Sequence, residues 1–295
     1  MKNLIRFDWA VKRLLRNKAN FGILEGFLSE LIGEDIKIDS ILESESNKLN
    51  KYQKFNKVDL LVRNSKGELI IIEVQNNQEQ DYLLRILFGT SILLVNNLDE
   101  GMDYIDVKKI ISVNIVYFDL GQGDDYIYHG TTNFVGLNKK DVLKFSDDQQ
   151  LLFKTDKISK IYPEYYIIKV NQFNDVAKNT LDEWIYFLKK DEIKDEFKAK
   201  GLKDAKKQLN IMKLSELDRK EYELYIEQQR YERSLIVSNY KVGKLEGAEE
   251  ERKRQETKQK TEKIEIAKNL IRAGVELNVI IKSTGLSKDE IEKLK

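Results

Sequence analysis

Two apolar runs separated by a short polar turn predict a pair of neighbouring β-strands at residues 57–62 and 70–75. Successive side chains of a strand point to opposite faces, so Glu73 and Gln75 share one face of the second strand. If the turn folds the first strand back beside the second, Asp59 lies across from Glu73. Each predicted strand therefore carries a carboxylate where a buried strand ordinarily carries Val or Ile.

The segments around this hairpin have a helical period instead. Apolar side chains recur at helical spacing over 20–32, where Gly33 is a predicted C-cap, and again over 78–96. A strand over 110–118 follows the second of these helices. Because a helix that joins two strands indicates a crossover, we predict the order α-β-β-β-α-β and an α/β fold with a mixed sheet flanked by helices.

The C-terminal part of the chain, from about residue 175 onward, is predicted to be almost entirely helical. Glycines and a run of charges interrupt the apolar positions of residues 205–262, which favours a solvated helical linker over a coiled coil. A capping-box pattern at 287–290 opens the last helix. Three segments are therefore predicted: an α/β domain at 1–160, a helical extension at 161–260 and a small helix-turn-helix-like segment at 261–295.

The two strand carboxylates, Asp59 and Glu73, predict a metal site. A charge on a core strand costs several kcal/mol unless it is paired or bound to a metal. Converging oxygen ligands suit Mg²⁺, which completes its shell with water and substrate phosphate oxygens. A metal-free alternative is open for each acid alone: Asp59 could pair with Lys57 or Arg63, and Glu73 could pair with Arg85 in a buried network.

Composition excludes several other kinds of site. The chain of 295 residues has no Cys and one His, His129, which argues against thiolate or imidazole metal sites and against a catalytic triad. A structural or surface role is expected for His129. The net charge is only +1, so DNA binding would need a local basic surface. Neither a signal peptide nor a transmembrane run is found, so we expect a cytoplasmic protein without membrane attachment.

Asp59, followed after thirteen residues by Glu73-Val74-Gln75, resembles the D…(D/E)xK core of the PD-(D/E)xK nuclease superfamily, with Gln75 where most members have Lys. More narrowly, the chain is similar to the family of recombination-promoting nucleases and transposase-like proteins, whose acidic strand has the pattern Glu-hydrophobic-Gln. Further matching positions are Asp8, Lys12, Arg85, Gly101, Tyr104, the strand 110–118, the segment 266–270 and the turn 284–287.

This resemblance implies a Mg²⁺- or Mn²⁺-dependent DNA endonuclease that acts in recombination or on mobile elements. The implied metal ligands are Asp59, Glu73 and the backbone carbonyl of Val74. In most relatives a lysine orients the attacking water, and here Gln75 can form a hydrogen bond to that water but has no charge. DNA is the expected partner, and no organic cofactor is expected. A homodimer is expected because a chain with one such site could cut both strands by pairing with a second chain, although the sequence leaves open whether two sites must meet.

The roles of four flanking residues are less closely defined by the sequence. Glu25, beside the apolar stripe of the 20–32 helix, could face Asp59 and act as a further ligand through water. Arg85 could contact a phosphate or brace the acids, since its planar donors suit either role. Lys12 is a candidate substrate-binding residue, although Asp8 and Lys12 could also form an exposed i,i+4 ion pair.

An alternative function follows from the missing lysine. The chain could be a catalytically weak or inactive nuclease-like module that binds DNA or a protein through its helical tail. The presumptive recognition helix at 288–293 is no more basic than acidic, which favours assembly or packing over direct contact with DNA.

Overall fold

The structure, a computed structural model, describes residues 4–13, 15–42, 58–97, 102–211 and 214–294. The chain divides into two compact units, Met1–Lys220 and Glu221–Lys295. Lys57 and Gly101, which the sequence singled out, lie outside the described residues. In the described part of the chain, no helix is both long enough and apolar enough to cross a membrane.

A six-stranded mixed sheet forms the centre of the first unit, with the strand order β1-β2-β3-β4-β6-β5. Its first three strands are antiparallel neighbours, β4 is parallel to both β3 and β6, and β5 is antiparallel at the edge. The predicted mixed sheet is thereby confirmed. The strands are β1 (Ile38–Leu42), β2 (Leu60–Asn64), β3 (Leu69–Gln75), β4 (Ile110–Val116), β5 (Ile127–Gly130) and β6 (Glu164–Lys169).

Helices flank this sheet and connect its strands. They are α1 (Phe7–Arg13), α2 (Phe21–Ile32), α3 (Tyr82–Asn96), α4 (Asp147–Phe153), α5 (Thr180–Lys190) and α6 (Leu202–Gln208). From α2 to β4 the observed order is the predicted α-β-β-β-α-β. The backbone of Gly33 is left-handed, with φ of 79°, and its N–H donates to the Ser29 carbonyl, so the predicted C-cap is confirmed.

The sheet continues beyond residue 160, where the sequence placed a domain boundary. Strand β6 pairs in parallel with β4, and the first compact unit extends to Lys220. The alternation of apolar and polar residues does not identify β6 in the sequence. Its first residue is the charged Glu164, which is nevertheless buried, with 2% exposed. Lys109 Nζ lies 2.7 Å from the Glu164 carboxylate. That ion pair joins residues far apart in the sequence, so only the folded structure shows why a strand can begin with a buried charge.

His129 has a structural place at the edge of the sheet, in agreement with the sequence. Its ring stacks on Tyr166 at a centroid distance of 4.3 Å, and Nε2 lies 3.1 Å from Glu164 Oε2. Burial opposes ionisation of Glu164, but the hydrogen bond from Lys109 and the charges of Lys109 and Lys160 outweigh it and lower the pKa of this carboxyl.

An aromatic cluster holds α1 against α2 and α5. The ring of Phe7 lies 5.5 Å from Phe27, 6.4 Å from Trp184 and 6.2 Å from Phe187, in each case edge to face. All four rings are buried. Because Lys12 lies on the same short helix as Phe7, this cluster also determines where Lys12 is placed.

Helix α2 and the backbone just before α6 approach closely at Gly26. A Cβ atom at this position would lie 2.2 Å from the Lys200 carbonyl oxygen, so only glycine permits the approach. Trp184 Nε1 donates a hydrogen bond to the same carbonyl, at 3.2 Å. The Lys200 carbonyl therefore links the aromatic cluster to the packing of α2.

The second unit is helical. It contains most of α7 (Glu216–Arg272), together with α8 (Leu277–Thr284) and α9 (Lys288–Glu292). Gly243 and Gly247, which interrupt the apolar positions of this segment, lie inside α7. The helix continues through them because an interior glycine costs a helix only about 1 kcal/mol, which flanking helix formers offset.

A small apolar core organises the C-terminal end of this unit. The buried residues Ala267, Ile280, Leu286 and Ile291 form it. The predicted capping box is confirmed, since the Ser287 hydroxyl accepts from the N–H three residues later and the Glu290 side chain accepts from the Ser287 N–H. The end of α7 and the two short helices thus form the expected three-helix segment.

Candidate functional site

Asp59, directly before β2, lies opposite Glu73, near the end of the neighbouring strand β3. Strand β2 pairs with β3 so that Leu60 faces Ile72. Asp59 directly precedes Leu60 and Glu73 directly follows Ile72, so the two acids occupy the next position of the antiparallel ladder.

The two acids also share one face of the sheet. Leu61 and Ile71, each two residues from one of the acids, belong to the same buried apolar cluster. Side chains two positions apart in a strand point the same way, so both carboxylates lie on the face of that cluster. The tertiary structure therefore gives the juxtaposition that the two-residue period predicted.

The Asp59 carboxylate is held by the backbone on one side and by a lysine on the other. Its Oδ2 accepts a hydrogen bond of 2.9 Å from the Val74 N–H, and its Oδ1 lies 3.2 Å from Lys12 Nζ. Arg16 donates a hydrogen bond of 2.6 Å to the Asp59 carbonyl. These contacts fix Asp59 beside the peptide of Val74, whose carbonyl is the predicted third metal ligand.

Glu73 is nearly buried, with 13% of its side chain exposed, and it is unusually hard to ionise. Burial raises the pKa of its carboxyl from 4.5 to about 8, and the negative charge of Asp59 adds to this effect. The positive charges of Arg85 and Lys12 act in the opposite direction. Arg85 Nη2 lies 3.9 Å from Glu73 Oε2. The ion pair between Glu73 and Arg85 that the sequence suggested is therefore present, at a long distance.

Glu79 links Gln75 to Arg85 and was not identified from the sequence. Gln75 Nε2 donates to Glu79 Oε1 at 2.7 Å and to the Asn77 carbonyl at 3.1 Å. Arg85 Nη1 donates to both oxygens of the same carboxylate, at 2.8 and 3.0 Å. An acidic residue in a polar loop gives little indication of a functional role in the sequence. For Glu79 the available indication was its position shortly before α3.

Asp8 and Lys12 do not form the exposed i,i+4 pair that the sequence offered as an alternative. Asp8 is buried, 1% exposed, and its carboxylate accepts hydrogen bonds of 2.8 Å from Arg6 and from Asn76. Lys12 is paired with Asp59 instead. That alternative is wrong because Asn76, at the end of β3, provides a buried partner that helical spacing cannot reveal.

Glu25 is engaged at the start of β1. Its Oε1 accepts a hydrogen bond of 2.9 Å from the Ile38 N–H, and its Oε2 lies 3.3 Å from Lys37 Nζ. This carboxylate therefore satisfies a backbone donor at a strand end. Its predicted role as a ligand through water stays a prediction.

A small cavity of about 10 Å³ adjoins Glu73. Tyr82, Arg85 and Asn114 are among its lining residues. The Tyr82 hydroxyl and Asn114 Oδ1 are buried, and neither has a hydrogen-bond partner within the described ranges. Burial, together with the nearby charge of Glu73, raises the pKa of Tyr82, so its hydroxyl stays protonated.

The donor set of this site fits a hard divalent cation. Within the described residues no group of three or more His, Cys, Asp or Glu side chains is arranged around a common point. Mg²⁺ does not need such a group, since one or two carboxylates with water and phosphate oxygens usually suffice. Asp59 and Glu73 provide two carboxylates, and a cation between them would relieve the repulsion that helps to raise the pKa of Glu73.

The raised pKa of Glu73 predicts that the metal-free protein becomes less stable as the pH rises. Between about 4.5 and about 8 the folded Glu73 holds a proton that the unfolded chain has released, so folding is favoured at the lower pH. We expect the free energy of unfolding to fall by about 1 kcal/mol per pH unit over this range, measured by urea titration in EDTA. Glu73→Gln should flatten the dependence, whereas the exposed control Glu216→Gln should not. Equal slopes in wild type and Glu73→Gln would contradict the prediction.

Comparison with known proteins gives matches to both parts of the chain. A family model described as PD-(D/E)XK nuclease family transposase matches residues 5–238, which include Asp59, Glu73 and Gln75. A second, described as the Rpn/YhgA-like nuclease family, C-terminal HTH domain, matches residues 260–295. No curated protein and no solved structure matches the chain.

Proposed function

The chain belongs to the family of PD-(D/E)XK nuclease transposases, and from this premise we propose that it is a Mg²⁺- or Mn²⁺-dependent DNA endonuclease that acts in recombination or on mobile elements. Family membership by itself supports a nuclease role associated with recombination. The observation that carries the finer proposal is the placement of Asp59 and Glu73, opposite each other and on one face, at the ends of two adjacent strands.

In this proposal Asp59, Glu73 and the Val74 carbonyl hold the metal ion. A metal ion held there would supply positive charge for the scissile phosphate and would lower the pKa of a bound water. Asp59 is suited to its role because the Val74 N–H and Lys12 already fix its carboxylate. Glu73 would bind the ion as a carboxylate and would have to give up its proton to do so, since carboxylates bind metals in the ionised form.

Arg85 is proposed to contact a phosphate of the substrate. Both oxygens of Glu79 hold one nitrogen of its guanidinium, which orients the planar group. A second nitrogen faces Glu73 at 3.9 Å, so the side chain lies at the edge of the site. The guanidinium has five N–H donors, which leaves donors for a phosphate.

DNA is the proposed partner, and the match of the C-terminal unit to an HTH domain supports DNA binding by this family. Helix α9, with the sequence KDEIE, has more acidic than basic residues, so we assign assembly rather than base reading to it. A homodimer is proposed because each chain has one such site and cutting both strands takes two. A cytoplasmic location, where DNA is accessible, fits this activity.

The test is cleavage of plasmid DNA by the purified full chain. We expect cleavage with Mg²⁺ or Mn²⁺ and none in EDTA, and we expect the double variant Asp59→Ala, Glu73→Ala to be inactive. A matched control is Asp195→Ala, Glu216→Ala, because these two acids have 98% and 87% of their side chains exposed. Cleavage undiminished by loss of both strand acids would falsify the site assignment.

A second candidate function is a nuclease-like module that binds DNA or a protein without cutting. The favouring observation is Gln75, an uncharged side chain at the position of the usual lysine, whose amide is bound to Glu79 and Asn77. The same plasmid experiment separates the two candidates. Retention of DNA by wild type and double variant alike, with no cleavage by either, supports the module.

A further inference from the structure

Gln75 leaves the proposed nuclease without the cation that the motif lysine ordinarily provides beside the acids. A glutamine has donors and an acceptor but no charge, so it cannot offset the charge that develops on a phosphate. Its amide nitrogen is moreover engaged by Glu79 and by the Asn77 carbonyl. If the site is catalytic, a positive charge must come from another element.

Lys12 on α1 is placed to provide that charge. Its Nζ lies 3.2 Å from Asp59 Oδ1, and its side chain is 43% exposed, so the ammonium borders the site and is open to solvent. Its charge also acts on Glu73, where it lowers the pKa of the carboxyl. Lys12 therefore contacts one proposed metal ligand and acts electrostatically on the other, although it comes from a helix and not from the strand of the motif.

Arg85 is less suited to the same role. Glu79 accepts hydrogen bonds from Arg85 Nη1 at both carboxylate oxygens, so one nitrogen of the guanidinium is already engaged. Its distance to Glu73 is 3.9 Å, longer than the distance from Lys12 to Asp59. A compact ammonium with three donors is also the better group for a single water or phosphate oxygen.

Two sets of contacts hold α1 in place beside the end of β3. Asp8 is buried and accepts a hydrogen bond from Asn76, the residue directly after Gln75. Phe7 packs in the aromatic cluster with Trp184. Two independent anchors thus fix the helix that presents Lys12 against the strand that presents Glu73.

We propose that Lys12 is a catalytic residue, whose ammonium binds the attacking water and offsets charge on the scissile phosphate in place of the missing motif lysine. This inference rests on the proposed nuclease function. In the reaction a water oxygen forms a bond to phosphorus, and the bond from phosphorus to one sugar oxygen breaks. The water proton passes to solvent and the leaving oxygen takes a proton from solvent, while Lys12 keeps its own proton throughout.

Moving the lysine between the two positions tests this proposal. The variants are Lys12→Gln, the double variant Lys12→Gln, Gln75→Lys, and Lys18→Gln as a control at another exposed position. We expect Lys12→Gln to slow single-turnover DNA cleavage by about 10² to 10³-fold, as loss of one charge-stabilising donor does. The double variant should recover at least about tenfold, because it restores a lysine at the motif position. The control should cleave like wild type.

Two further readouts separate catalysis from support of Asp59. Calorimetric titration with Mg²⁺ and the melting temperature should show that Lys12→Gln binds the ion at least as tightly as wild type and folds equally well. Any of three results would overturn the catalytic role of Lys12. Lys12→Gln could cleave at the wild-type rate, it could lose Mg²⁺ binding together with cleavage, or Gln75→Lys could fail to rescue it. If wild type itself does not cleave DNA with Mg²⁺ or Mn²⁺, the proposed function fails and this role fails with it.

Discussion

Replacing Glu73 by Gln, or Asp59 by Asn, should reduce the rate of DNA cleavage by about 10³-fold or more, because several kcal/mol of charge stabilisation in the transition state is lost with the metal. Both changes keep the size of the side chain and remove only its charge. Glu73→Gln in particular should fold normally, because burial and the charge of Asp59 raise the pKa of Glu73 to about 8 and Gln imitates the protonated form. The measurement is single-turnover cleavage at saturating Mg²⁺.

Combining the two changes should cost hardly more than either alone. Asp59 and Glu73 are proposed to hold one ion between them, and effects of residues that act as a unit are not additive. The control Asp195→Asn, at an exposed position, should cleave at the wild-type rate. Small single effects that multiply in the double variant would show that the two acids act independently, against the shared ion.

Trp184→Ala should destabilise the first unit by about 3 to 5 kcal/mol, the usual effect of removing a large buried aromatic side chain. Trp184 is fully buried, its ring packs against Phe7, Phe27 and Phe187, and its Nε1 donates to the Lys200 carbonyl. The truncation therefore leaves a cavity between three helices and removes the hydrogen bond to the Lys200 carbonyl. Urea unfolding in EDTA at fixed pH gives the free energy of unfolding.

The matched control is Leu151→Ala on α4, where the side chain is 79% exposed and a change within about 0.5 kcal/mol is expected. A loss of less than 1 kcal/mol in Trp184→Ala would mean that the site can collapse around the cavity, contrary to the tight aromatic packing. Because Phe7 and Lys12 lie on the same helix, Trp184→Ala should also weaken cleavage under conditions where it remains folded.

Local patterns in the sequence were sufficient for the elements from α2 to β4 and for the pairing of the two strand acids. The two-residue period puts Glu73 and Asp59 on particular faces, and the short turn leaves little freedom in how their strands pair. The Gly33 cap and the capping box at Ser287 are likewise interactions between residues a few positions apart. Such features depend on neighbouring residues, so the α/β fold class could be predicted before any coordinates. The family resemblance came from the motif residues Asp59 and Glu73-Val74-Gln75, and the family match supports it.

Long-range contacts decided the rest, and no local period encodes them. Lys12 lies beside Asp59, and Asp8 is buried against Asn76, because the fold places α1 next to the end of β3 and the aromatic cluster holds α1 there against α2 and α5. The same holds for three other contacts. Glu25 accepts from the Ile38 N–H, Glu79 links Gln75 to Arg85, and β6 pairs in parallel with β4. The sequence by itself thus determined the alternation around the two strand acids and the helix caps, because these depend on neighbouring residues. Tertiary packing decided the partners of Asp8, Lys12 and Glu25, because a contact between distant residues depends on the position of two chain segments and not on the spacing within either.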